Sequence, residues 1–240
     1  MGLLSIEIHT HYRNHQLFNA TPETVYEALS CEQEPSETGQ ILRQASSNQI
    51  SMKPGIIINK KHGIFPEPGT VQFERLLPGP AERIWDYLTK SELKVKWLSA
   101  GDVEPGVGGK VEFKFKHSDL SETDDPIPEK YKHMQDGTWF EGRVTEWDPP
   151  RRLSYTWGEG TGEESEVTYE LIPKKDNKVL LILTHIRLGE DPDVLISVGA
   201  GWHTHLGILI DRLEGNEPKG FWSVHNRMEK EYGKLLEKEH

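Results

Sequence analysis

Residues 111–187 carry five short runs in which apolar and polar residues alternate, and one long apolar stripe at helical spacing follows them. A period of two suits a sheet with one buried face. A 3.6-residue stripe suits a helix lying on that face. The runs cover 111–116, 138–147, 153–157, 166–172 and 179–187, and Asp148-Pro149-Pro150, residues 158–162 and residues 173–177 punctuate three of the gaps. Segments this short and regularly spaced predict an antiparallel meander. The remaining gap, the acidic insert 117–137, is expected to be an exposed loop.

Upstream, Val71, Phe73 and Arg75 alternate with Gln72 and Glu74, which predicts a further strand ended by Pro78-Gly79-Pro80. The segment AERIWDYLTKSELKVKWL then predicts two short helices broken near residues 89–91. Downstream, Asp191-Pro192-Asp193 opens a helix, since an acidic first turn complements the helix dipole and proline fits there. Val198, Trp202, Leu206, Leu209, Ile210 and Leu213 form its stripe, and Gly215 is placed as its C-cap. A last helix is expected over 221–236. Residues 1–69 are read as an irregular N-terminal extension, bounded by Pro66-Glu67-Pro68-Gly69, and residues 70–240 as the folded domain.

Composition narrows the function. Lys plus Arg number 28 and Asp plus Glu 39, a net charge of −11 with no basic cluster. Such a chain is a poor ligand for nucleic acid or anionic lipid. No apolar run approaches the ~20 residues of a membrane span. The first residues show no basic segment followed by a long apolar one, so no secretory signal is expected. The single cysteine, Cys31, excludes an internal disulfide and a multi-cysteine zinc site. A cytoplasmic protein is expected.

Alternation also assigns faces. Val111, Phe113 and Phe115 share one, as do Leu153, Tyr155 and Trp157, then Val167, Tyr169 and Leu171, and finally Val179, Leu181, Leu183 and His185. A concave face built from these sets encloses aromatic walls with a few polar tips, which is the composition of a small-molecule site. The candidate ligand-binding residues are Trp97, Val111, Phe113, Phe115, Val144, Tyr155, Trp157, Tyr169, Leu183 and His185, with Trp202, His205, Leu206 and Leu209 from the long helix. The competing reading of each is ordinary core packing.

Catalytic and metal signals are sparse. His203 and His205 stand two apart, about 200° around a helix, so they face opposite sides and cannot share a metal. His11 and His15 have i, i+4 spacing but no apolar stripe and no adjacent Glu. Gly106-Val107-Gly108-Gly109 is too short for a phosphate-binding loop, and no GxSxG occurs. No metal and no cofactor is expected. His185 is the one candidate acid or base, with Tyr155 as its assistant.

Several segments, in order, resemble the START-like (SRPBCC) superfamily in its branch homologous to the activator of the heat-shock-protein-90 ATPase. They are PAERIWDYLTKSELKVKWL, Pro105-Gly-Val-Gly-Gly-Lys-Val-Glu-Phe, the segment from Gly142 to Trp157, Leu183-Thr-His185, and Gly201-Trp-His-Thr-His-Leu206 with Leu213-Glu-Gly215. The resemblance implies an α+β helix-grip fold, a curved antiparallel sheet wrapped around a long C-terminal helix, with a cavity for hydrophobic molecules. Residues 17–29 also resemble the strand–helix opening at 76–88, as a partial repeat.

The leading expectation is a carrier or sensor of a hydrophobic small molecule, such as a lipid, flavonoid or polyketide-like compound. The alternatives are a co-chaperone acting on a heat-shock ATPase through its surface, and a cyclase- or aromatase-type enzyme using His185.

Overall fold

The computed structural model describes residues 54–158 and 164–237. The partial repeat at 17–29, Cys31 and the histidines at 9, 11 and 15 lie outside the described residues. The described chain opens with a short helix, α1 (Pro54–Lys60), and the strand β1 (Val71–Pro78). Helices α2 (Ala81–Thr89) and α3 (Ser91–Lys94) follow, broken at Lys90 as expected. Then come β2 (Lys110–Phe115), β3 (Thr138–Asp148), β4 (Arg152–Trp157), β5 (Ser165–Lys174) and β6 (Lys178–Ile186). The chain ends in α4 (Pro192–Glu214) and α5 (Phe221–Leu236).

The six strands form one antiparallel sheet in the order β1-β6-β5-β4-β3-β2. The meander pairs neighbours in sequence, and β1 closes on β6 in a register that sets Phe73 opposite Leu183. The sheet curves along β3, whose first half pairs with β2 and whose second half pairs with β4, with an irregularity between Val144 and Glu146. At Gly142 a Cβ would lie 2.1 Å from the Thr156 carbonyl oxygen, so β4 passes β3 at a distance only glycine permits. Residues assigned by sequence to the irregular extension cap the other edge. Asn59 on α1 donates to the Leu76 carbonyl (3.0 Å) and accepts from the Leu76 N–H (2.7 Å), using up polar groups on the edge strand β1.

Burial alternates along β1, β2, β5 and β6, whereas β4 is buried on both phases, with Ser154 and Thr156 covered as well. Val71, Phe73, Leu153, Tyr155, Val167, Tyr169, Leu181, Leu183 and His185 are all buried. Helix α4 crosses this face with Ala200, Trp202, Leu206, Leu209 and Leu213 buried. Each buried leucine contributes about 1.5–3 kcal/mol. Its start is fixed by the Asp191 carboxylate accepting from the Asp193 N–H (2.9 Å), and its end by Gly215 at φ 78°. At 23 residues, α4 is long and apolar enough to cross a bilayer by length and composition alone. The expectation that no segment reaches that mark is corrected to that extent. In this fold α4 is the central core helix.

The insert departs most from expectation. It forms two 3-10 turns, His117–Leu120 and Glu129–Met134, and folds back over the end of the sheet. Leu120 is buried, and its carbonyl accepts from Arg212 on α4 (2.9 Å). Asp125 accepts from the Ser223 N–H near the start of α5 (2.9 Å). Tyr131 stacks on Trp222 with ring centroids 5.2 Å apart. Sequence reading treated the charge run as a solvated surface, whereas apolar residues inside the run tie the insert to the helices.

Candidate functional site

The insert, α4, α5 and the end of the sheet line a partly open cavity of about 250 Å³. Phe115, Phe140, Trp157 and His185 come from strand ends. Ser197, Val198, Gly201, Trp202 and His205 come from α4. His117, Tyr131 and Met134 come from the insert, Thr138 from the start of β3, and Phe221, Trp222 and His225 from the first turns of α5. The space exists because Ser197 and Gly201 are small. A Cβ added at Gly201 would meet nothing within 4 Å. Farther along α4, Leu206, Leu209 and Leu213 fill the corresponding volume.

Five of the fourteen residues selected from sequence line this cavity: Phe115, Trp157, His185, Trp202 and His205. The other nine do not. Trp97, Val111, Phe113, Val144, Tyr155, Tyr169, Leu183, Leu206 and Leu209 are closed into the core. They are buried, as alternation and the helical stripe require, but in packed core away from the open space.

His185 is fully engaged. The Trp202 Nε1–H donates to its Nδ1 (3.0 Å), so its proton sits on Nε2, which donates to Ser165 Oγ (2.8 Å). Ser165 in turn donates to the Trp157 carbonyl (3.3 Å). Burial, with a smaller contribution from the charge of Arg187, pushes the His185 imidazole down to about 3. Tyr155 is bonded to Tyr169 through their hydroxyls (2.7 Å), and burial raises both phenols. The acid–base pair considered from sequence is therefore buried in the core: both His185 nitrogens are bonded within the protein, and the Tyr155 hydroxyl is paired with Tyr169.

The other histidines differ. His205 donates from Nδ1 to the Trp97 carbonyl (2.8 Å), which leaves Nε2 as a lone pair, and burial holds the ring down at about 4. His117 lies 4.1 Å from Phe221, 5.0 Å from Trp222 and 5.5 Å from both Phe115 and His205, measured between ring centroids. Burial, assisted by His205 and His225, pushes it down to about 3. His203, as expected, faces away from His205 and accepts from the Tyr232 hydroxyl (3.2 Å). No grouping of three His, Cys, Asp or Glu suited to a metal occurs among the described residues.

Behind the cavity wall sits Glu229, 8% exposed. Tyr131 donates its hydroxyl to Glu229 Oε1, and Lys130 pairs with Oε2 at 2.6 Å. These two contacts join the insert to α5. His225 Nδ1 lies 3.8 Å from the same carboxylate. Sequence reading missed the other lining residues, among them His117, Tyr131, Phe140, Gly201, Phe221 and Trp222. The available signal was the aromatic and apolar content of an otherwise acidic insert, and the Phe221-Trp222 pair opening the last helix.

Residues 78–214 match the family described as Activator of Hsp90 ATPase homolog 1-like protein. The chain belongs to this family. Its fold is shared with a Bordetella parapertussis protein of known solution structure, which is 35% identical over 73% of this chain and 90% of that one, with a TM-score of 0.61. A conserved protein of unknown function from Enterococcus faecalis is 17% identical, covering 78% of this chain and 98% of its own, with a TM-score of 0.55. CalU16 from Micromonospora echinospora is 20% identical over 70% and 88%, with a TM-score of 0.50. The last two are alike in fold alone. No curated protein matches the chain.

Proposed function

We propose that the protein binds a small aromatic molecule between the end of the sheet, α4 and the insert, as a carrier or sensor without catalysis. The observation that carries this reading is the space over Gly201, walled by Phe115, Trp157, Trp202 and Phe221. An apolar cavity of ~150 Å³ holds a benzene ring, so about 250 Å³ suits one or two rings. The test is an amide NMR titration with one- and two-ring aromatics, run on the wild type and on Gly201→Leu. Leucine at 201 plugs the cavity and also favours the helix. The reading expects saturable shifts around Trp157, Trp202 and Phe221 that vanish in G201L. Identical responses in both proteins, or none in the wild type, would remove it.

A second reading has the support of the family itself, whose name describes activation of a chaperone ATPase. Action through the surface would use exposed groups, among which Trp139 on the outward face of β3 is 73% exposed. Stimulation of a heat-shock ATPase that survives G201L and is lost in Trp139→Ala would favour it.

A further inference from the structure

Taking the cavity as a ligand site, its chemistry restricts the ligand further than its volume does. No Asp, Glu, Lys or Arg lines it. The nearest ion pair, Lys130 with Glu229, lies behind Tyr131 and His225 and is already neutralised. A charged ligand would be buried without a counter-charge, which is strongly unfavourable. A pure hydrocarbon is disfavoured for the opposite reason. The imidazole of His117 makes no hydrogen bond to any described residue, and a hydrocarbon beside it would strip its remaining water and return nothing. In the same wall, the buried indole Nε1–H of Trp222 also has no acceptor.

We propose that the cavity selects a neutral phenol of one or two rings, and that His117 reads its hydroxyl. A neutral imidazole offers one donor and one acceptor on opposite sides of its ring, so a ligand hydroxyl donates to its bare nitrogen and keeps its own lone pairs free to accept. The ring of His117 is positioned by Phe221 and Trp222, which also supply faces for an aromatic ligand. The hydroxyl's lone pairs suit the Trp222 indole N–H.

The experiment compares naphthalene, 2-naphthol and 2-naphthoate by tryptophan-fluorescence titration at pH 7, on the wild type and on His117→Phe. The phenylalanine keeps a ring between Phe221 and Phe115 and removes both nitrogens. The ratio of 2-naphthol to naphthalene affinity should fall about three- to tenfold in H117F, the value of one hydrogen bond. 2-Naphthoate should bind at least about tenfold more weakly than 2-naphthol to the wild type. An unchanged ratio, or naphthoate as the tightest ligand, overturns the proposal while leaving the cavity reading intact. If neither naphthalene nor 2-naphthol binds, the cavity reading itself fails. Should H117F not fold, long-range proton–nitrogen spectra of the wild-type imidazoles decide the matter. The His117 nitrogens must shift with 2-naphthol and stay in place with naphthalene, and equal shifts with both would refute the assignment.

Discussion

Lys94 is the most sharply testable residue outside the cavity. It is fully buried between α3 and β2, with Nζ 3.1 Å from Ser99 Oγ, 2.9 Å from the Glu112 carbonyl and 3.4 Å from the Ala100 carbonyl, and 5.0 Å from the Phe113 ring centre. A neutral amine satisfies this geometry by donating to the two carbonyls and accepting from the serine hydroxyl. Burial lowers its pKa from 10.5 to about 7, against the opposing pull of Asp102 and Glu112. The folded protein therefore binds fewer protons than the unfolded chain between pH 7 and 10.5, and stability must rise with pH across that window. Below pH 7 the amine is charged in both states and the burial penalty is present in full. A shift from 10.5 to about 7 corresponds to a total of about 5 kcal/mol, of which roughly 2.5–3 kcal/mol is recovered between pH 6 and 9. The assay is urea unfolding of the wild type and Lys94→Met at pH 6, 7, 8 and 9. Titration of every other group is common to both proteins and cancels in the difference. The wild type should gain on the variant by that 2.5–3 kcal/mol. Parallel profiles, within about 0.5 kcal/mol, would mean that the amine stays protonated in the fold and that the carbonyls outweigh burial.

Burial holds His117, His185, His203 and His205 down at about 3 to 4, from 6.5. Their contribution is fully present above pH 6.5 and is lost as pH falls toward those values. Four protons give a slope approaching 5 kcal/mol per pH unit. Far-ultraviolet circular dichroism should show cooperative acid unfolding between about pH 4 and 5.5, and a protein still folded at pH 4 would contradict this. Glu229→Ala removes the acceptor of the Tyr131 hydroxyl and the partner of Lys130. It should cost about 1–3 kcal/mol and speed hydrogen exchange over residues 117–137 before it affects the sheet. Uniform exchange changes would show that the insert is not held at this point. Gly142→Ala forces a methyl against the Thr156 carbonyl and should cost more than about 3 kcal/mol. A wild-type melting temperature would refute so close an approach of β3 and β4.

The fold was legible because its signals are local. Period-two alternation marks Leu153-Ser-Tyr155-Thr-Trp157 as half-inward wherever the strand lies in the sheet, and Asp191 and Gly215 mark their helix ends by backbone chemistry alone. The site was legible only in part because a void is a tertiary property. Phe113 and Phe115 sit on the same face of one strand, yet only Phe115 reaches the cavity. What separates them is their neighbours: Phe113 is closed in by Phe140, Tyr155, Trp157 and Lys94, whereas Phe115 lies beside His117 and His205, and those neighbours come from distant parts of the chain. His185 shows the same limit. Its inward direction follows from alternation, whereas the loss of its reactivity follows from Trp202 and Ser165, 17 and 20 residues away.

The elements that close the cavity are also the ones held most weakly. The sheet wall is secured by antiparallel ladders on β3 to β6, and displacing any strand would break several backbone hydrogen bonds at once. The insert has no strand partner within its own length. Its hold on α5 is the Tyr131 and Lys130 contacts to Glu229, the Asp125–Ser223 bond, and ring contacts of His117 with Phe221 and Trp222 and of Tyr131 with Trp222 and His225. Such contacts contribute about 1 kcal/mol each. The wall that carries His117 can therefore move at a cost of a few kcal/mol while the aromatic floor of Phe115, Trp157 and Trp202 stays fixed. The rigid part of the site sets its volume, and the insert and α5 set its hydrogen bonding.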